Sequence, residues 1–549
     1  MNMKNINFFL FLSLFWSLTS CNSTKQVDLI VKNAKVYTVD ENFSFAEAFA
    51  VKDGKFLAIG SNEEIINKFE ATETLDLNGQ FVYPGFIDAH AHFFGYGLGI
   101  QTEAQLYETK SEQEILKILE DFQLERQNAW ILGRGWDQND WASLEFPNKE
   151  GLDKLFPDTP VYLVRIDGHA AWVNNKAMEL AGINSKTAIS GGEVLLKNGK
   201  PSGILIDNAM SLVRSLIPKP DKSAQIKALM AAQQNCFAVG LTGVTDAGLN
   251  LRTIKIIDSL QNSAILEIRI NAIMDPSEEN FNYFLPNGPY VTDKLSVRSI
   301  KLYADGALGS RGAAMLKPYS DNPNNYGLMI KDENYYREIC EKALQNGFQV
   351  LTHAIGDSAN RVMLRIYGEA LKGKNDKRWR IEHAQIIAPE DFELFRKYSI
   401  VPSVQPTHAT SDMYWADERV GMERLKGAYA YKQLLDQNNW IPLGTDFPIE
   451  KIDPLLTFYA AVVRKDLNGY PSKGFQMENA LSREEALKGM TIWAAKTAFE
   501  EKAKGSIEKG KFADFIVLNQ DIMTCNDVEI PKTSIEFTVI NGKIVYKKN

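Results

Sequence analysis

The chain has 549 residues, 45% hydrophobic and 24% charged, with a formal net charge of −8. That profile belongs to a folded globular protein, and the length predicts a large barrel-type domain plus a second unit. The charge leaves no basic surplus to neutralise phosphates, which argues against a nucleic-acid partner, and four cysteines without a Cys-x-x-Cys pair argue against a disulfide framework or a cysteine zinc site.

Lys4 precedes an almost wholly apolar run from Phe8 to Trp16, too short to cross a bilayer, so residues 1–20 read as an export signal. Leu18-Thr19-Ser20-Cys21 resembles a bacterial lipobox. The resemblance implies cleavage before Cys21, lipidation of its thiol, and a cell-envelope location with the membrane reached by a lipid anchor. A plain signal peptide followed by a coincidental cysteine is the alternative. Residues 21–27 form a polar tether.

From Asp28 to about residue 80, short strands alternate with turn dipeptides such as Lys32-Asn33 and Asp53-Gly54. Residues 501–549 repeat that texture, with Ala513 to Leu518, Ile535 to Ile540 and a hairpin at Asn541-Gly542. The two ends are expected to form one small β-sandwich. Between them, residues 81–500 alternate strands with helices, the pattern of an α/β barrel. Eight strands are expected: Phe81-Val82-Tyr83 running into Asp88 to His92, Gly243 to Asp246, Ile268 to Ile273, Val297 to Tyr303, Gln349 to His353, Trp379 to His383, Ile400 to Gln405, and Trp440 to Asp446. The fold class is α/β, a (β/α)8 TIM barrel. Residues 94–220 are too long for one crossover and read as an insertion after the first strand. Cys236 and Cys340 fall in amphipathic helical stretches, where a buried inert thiol is the usual case.

His90 and His92 are two apart on an extended segment, which sends both side chains to one face. Alone, the pair is moderate evidence for metal, with hydrogen-bonded polar residues on a strand as the alternative. However, the chain has only six histidines, and His353 and His383 each end an apolar strand, as does Asp446. Strand ends of a parallel barrel converge on one face. Four imidazoles and a carboxylate meeting there would be costly without a cation, and such donors suit zinc or a similar divalent ion. Lys301 sits inside the apolar strand Val297 to Tyr303. It is readable as a lysine reaching solvent or a carboxylate, or as one converted to an anionic carbamate by carbon dioxide.

The ordered set His90, His92, Lys301, His353, His383, Asp446 resembles the amidohydrolase superfamily in its version with two metals and a carboxylated lysine. Pro84 to His92 is similar to its opening motif and Gly505 to Asp514 to its closing segment. Trp130 to Asp137, Arg165 to Asn174, Lys301 to Arg311 and Val404-Gln405-Pro406 resemble the branch containing N-substituted formamide deformylases. The resemblance implies one metal on His90, His92 and Asp446, another on His353 and His383, and a carbamate on Lys301 bridging them. It implies hydrolysis of an amide-type C–N bond in a small non-peptide substrate by a metal-bound hydroxide, with Asp446 moving the proton. An esterase, lactonase or cyclic-amidine hydrolase with the same centre is the second reading, and a non-catalytic envelope protein the third. Four further residues are candidates for substrate contact. His169 lies in the insertion and could reach over the barrel mouth or be a surface or structural histidine, and His408 lies near the strand-end face. Arg311 could bind an oxyanion or anchor its loop by a salt bridge. Trp136 could line an apolar pocket or pack the insertion.

Overall fold

The computed structural model describes residues 24–548; the export signal and Cys21 lie outside them. Seven parallel strands form the central sheet in chain order: β1 Phe86–Ala91, β2 Leu241–Leu249, β3 Arg269–Met274, β4 Leu295–Tyr303, β5 Gln349–Ala354, β6 Arg380–His383 and β7 Val401–Ser403. Every residue of β1, β3 and β5 is buried, as expected of parallel strands covered on both faces. Residues 441–446 close the sheet between β7 and β1. Gly444 N–H donates to Val404 (3.0 Å), Ala89 N–H to Leu443 (3.2 Å) and Asp446 N–H to His90 (2.8 Å). The sequence predicts a regular strand there. Pro442 lacks an amide donor, so the segment pairs only at scattered points.

The helix Glu333–Gln345 shows how the outer layer is encoded. Asp332 caps it by accepting from Tyr335 N–H, and Tyr336, Ile339, Cys340 and Ala343 recur at helical spacing as its buried stripe. Cys236 is likewise buried.

Both chain ends meet beside the barrel. A four-stranded sheet (Lys55–Gly60, Ala48–Lys52, Lys25–Lys32, Phe69–Asp76) and a six-stranded sheet containing Phe81–Pro84, Lys35–Tyr37, Phe515–Leu518 and Ile535–Ile540 share one apolar cluster. Val31, Phe49, Val82 and Phe515 are among its members. Phe81-Val82-Tyr83 therefore belongs to this unit and not to the first barrel strand, which corrects the expected boundary at residue 81. The apolar run from Phe81 to Ala91 is continuous in sequence and conceals the switch at Gly85. A Cβ on Gly85 would overlap the Thr242 side chain, so only glycine lets the chain step from one sheet to the next. Arg269 of β3 fastens the two units through Asp514, with Nη2 to Oδ1 at 3.0 Å.

Between β1 and β2 lies a separate six-stranded sheet with Ile131–Trp136, Val161–Arg165, Ala170–Val173 and Lys200–Asp207. It has its own core around Trp136, Leu163, Trp172 and Ile204. Among the described residues, no helix is long and apolar enough to cross a membrane.

Candidate functional site

All six histidines of the chain gather at one end of the barrel. Their ring centroids run in sequence: His92 to His90 5.7 Å, His90 to His383 5.1 Å, His383 to His353 4.6 Å, His353 to His169 4.9 Å, with His408 5.7 Å from His383. The barrel brings five of them together because they sit in, at or just beyond the ends of its strands, while His169 comes from the insertion. His90 is in β1, His92 just beyond it, His353 in β5, and His383 ends β6. His383 and Asp446 have φ of 71° and 63°, a left-handed backbone that non-glycine residues adopt at a cost.

His90, His383 and Asp446 each present a ligand atom within 4.8 Å of the others. Asp446 Oδ1 lies 3.3 Å from His92 Nε2 and 3.7 Å from His90 Nε2, and Oδ2 lies 3.7 Å from His408 Nε2. Both Asp446 Oδ1 and His408 Nε2 are buried with no hydrogen-bond partner among the described residues. Lys301 Nζ lies 3.2 Å from His90 Nε2, and the side chain is buried. Buried nitrogen and oxygen ligand atoms that converge, with Asp446 Oδ1 and His408 Nε2 left without partners, fit a divalent ion.

The electrostatics point the same way. Burial, then the nearby Lys301 ammonium, pushes His90 down to about 4, and burial holds His353 and His383 well below the ordinary histidine value. Neutral imidazole is the form that ligates. Burial would raise Asp446, but the imidazoles of His92, His90 and His383 outweigh it and keep the carboxylate ionised. Burial lowers Lys301 to about 8.

Several supporting groups carried no signal strong enough to be read from sequence. Glu382 Oε2 sits 2.7 Å from His90 Nδ1, while its Oε1 is 2.9 Å from Arg380 Nε. Burial alone would raise this carboxyl; Arg380, then His90, more than offset it and hold it below the usual range. Two charged residues two apart in the four-residue β6, one of them next to His383, were the available clue. Gln405 Oε1 lies 2.7 Å from His383 Nδ1. Asp305 accepts backbone N–H groups of Ile355, Gly356 and Ala314 at 2.8–3.0 Å and lies 3.7 Å from His353 Nε2. Asp88 accepts from His90 N–H and from Thr445, tying β1 to the closing segment.

The four candidate contact residues divide. His169 and His408 reach the cluster. Trp136 does not: its ring is fully buried in the insertion core, packed on Trp141 and Trp172, and its indole N–H donates to Leu163 at 2.9 Å. Arg311 pairs with Asp321 at 2.9 Å, and Asp321 also holds Arg419, so its guanidinium anchors the loop.

Residues 73–546 match the amidohydrolase family. The chain is 34% identical over 528 residues to YtcJ of Bacillus subtilis (strain 168), covering 94% of this chain and 98% of the relative. It is 24% identical over 556 residues to the N-substituted formamide deformylase of Arthrobacter pascens, covering 96% and 99%. Among solved structures, an uncharacterized metal-dependent hydrolase from Pyrococcus horikoshii OT3 superposes with a TM-score of 0.74 at 27% identity, covering 91% of this chain and 99% of that one.

Proposed function

This chain belongs to the amidohydrolase family, and we propose that it hydrolyses the C–N bond of a non-peptide amide with divalent metal held at the barrel end. The observation that carries this reading is the convergence of His90, His383 and Asp446 within 4.8 Å, with the buried Lys301 amine 3.2 Å from His90 Nε2. His90, His92 and Asp446 would hold one ion, and His353 and His383 a second. Lys301 would lie between them as a carbamate: carbon dioxide adds to the neutral amine, an N–C bond forms and one proton leaves. Imidazole and carboxylate donors favour zinc. A bound divalent ion supplies polarisation of the substrate carbonyl and acidification of a water molecule.

The chain's own residues do the remaining work. Asp446, kept ionised, takes a proton from the attacking water and passes it to the leaving nitrogen. Glu382 and Gln405 orient His90 and His383 through their Nδ1 atoms. The distant likeness to the N-substituted formamide deformylase supports an amide over an ester as the bond cleaved.

The test is elemental analysis of purified protein followed by a panel of N-substituted formamides, N-acyl amines, esters and lactones. Amide turnover that chelation abolishes and zinc restores is expected. Turnover of esters alone, or amide turnover that survives chelation, overturns the reading. We further propose that Cys21 tethers the enzyme to the cell envelope; Cys21→Ser should release it from the membrane fraction, and an unchanged distribution would refute the anchor.

A further inference from the structure

The insertion sends one imidazole to the barrel end. His169 stands on the turn between the strands Val161–Arg165 and Ala170–Val173, and its ring centroid lies 4.9 Å from that of His353. Its backbone N–H donates to Asp167 Oδ1 at 3.0 Å, and Asp167 is itself held by Arg165 at 2.6 Å. The ring's Nδ1 meets Asp207 Oδ1 at 2.7 Å. That contact places a proton on Nδ1 and leaves Nε2 as the nitrogen that can meet a ligand.

Asp207 is built for this one contact. It ends the strand Lys200–Asp207, its side chain is 1% exposed, and its φ of 47° is left-handed. Its second oxygen, Oδ2, is buried with no hydrogen-bond partner among the described residues. The loop after β4, the strand of Lys301, is shaped around it: a Cβ on Gly306 would lie 2.6 Å from Oδ2, and one on Gly312 2.7 Å. A buried carboxylate with one partner, on a strained backbone, is costly. Packing alone would be served better by an apolar side chain.

We propose that His169 is a catalytic residue whose Nε2 hydrogen-bonds the scissile amide group of the substrate, with Asp207 as the positioning residue that fixes the ring's tautomer and aim. The site is then bipartite: the barrel supplies the metal ligands and the proton carrier, and the insertion supplies a contact to the reacting group. His169 makes and breaks no covalent bond in this role. The chemistry rests on the hydrolase reading above, whereas the placement of the ring does not.

The experiment uses the metal-loaded full chain and the variants His169→Gln and Asp207→Asn. N-benzylformamide is the amide probe, and calorimetric binding of benzohydroxamic acid is a readout independent of turnover. Metal content and melting curves are expected to match wild type in both variants. His169→Gln should lower kcat on the order of 100-fold with little change in KM, and Asp207→Asn on the order of tenfold, as for lost transition-state hydrogen bonds and their supports. Benzohydroxamate should bind His169→Gln several-fold more weakly. Wild-type kcat and wild-type hydroxamate affinity in His169→Gln would overturn the proposal. So would parallel loss of metal or melting temperature in both variants, which would make the pair a packing element. If the wild type cleaves no amide, the functional reading falls and the hydroxamate arm still decides His169.

Discussion

Glu382 joins two demands in one buried side chain: it neutralises Arg380 and orients His90. Glu382→Gln keeps the shape and removes the charge. Arg380 would then be a buried guanidinium without a counter-ion, a loss of about 3–5 kcal/mol by analogy with broken buried pairs. His90 would exchange a charged acceptor for a weaker neutral amide oxygen, and metal affinity should fall roughly 10–100-fold. Competition against a chelator measures the second effect and thermal melting the first; an unchanged metal affinity would show that His90 is held by other groups. Asp446→Asn separates chemistry from fold in the same way. Asparagine fits the space but cannot accept and release a proton, so in zinc-saturated protein kcat should drop on the order of 10³-fold while the melting curve moves little. Full turnover in this variant would remove Asp446 from the proton path.

At the scale of elements, the helix Phe93–Thr102 has no side-chain cap of its own, because His92 occupies the cap position. Asp246 of β2 substitutes for it, accepting from Phe94 N–H through Oδ2 at 3.1 Å. A neighbouring strand therefore fixes the start of the helix and, with it, the residue that carries the His92 imidazole. Burial raises the Asp246 carboxyl to about 7, against the lowering effect of the Phe94 and Phe93 amides. The folded protein then keeps a proton that the unfolded chain releases near its ordinary value of 3.8. Stability must fall as pH rises through that window and level off above about 7. In Asp246→Asn this contribution is gone. The melting temperature of wild type relative to Asp246→Asn should decline between pH 5 and pH 7 and stay flat above. A difference independent of pH would contradict a raised carboxyl. Asp246→Ala removes the cap itself and should cost about 1 kcal/mol more.

At the scale of the whole molecule, the barrel was legible because its strands and helices announce themselves by apolar runs and helical spacing. His90, His353, His383 and Asp446 were legible because each closes such a run. What joins distant segments was not. Asp207 meets His169 across two strands of the insertion, and Asp305 gathers amides from its own loop and from the loop after β5. No local pattern encodes either contact. Trp136 could be pocket wall or, more commonly for such a residue, insertion core, and its indole partner shows it packed in the core. The same long-range assembly makes metal a stabiliser. The donors come from β1, β5, β6 and the closing segment, which are contiguous only when the barrel is closed. An ion that binds this set and not the unfolded chain adds RT ln(1 + [L]/Kd), about 2.7 kcal/mol at a hundredfold excess over Kd. Chelation should therefore lower the melting temperature, and added zinc should restore it in a concentration-dependent way. The two-sheet unit and the insertion have their own cores, around Phe515 and Trp172. Faster amide exchange should consequently be confined to the barrel ends, at the Asp446 and Gly444 N–H groups that pair with His90 and Val404. Exchange that accelerates equally in Phe515–Leu518 and Ile131–Trp136 would make the ion a scaffold for the whole chain, and an unchanged melting temperature would mean that the histidine cluster holds no metal.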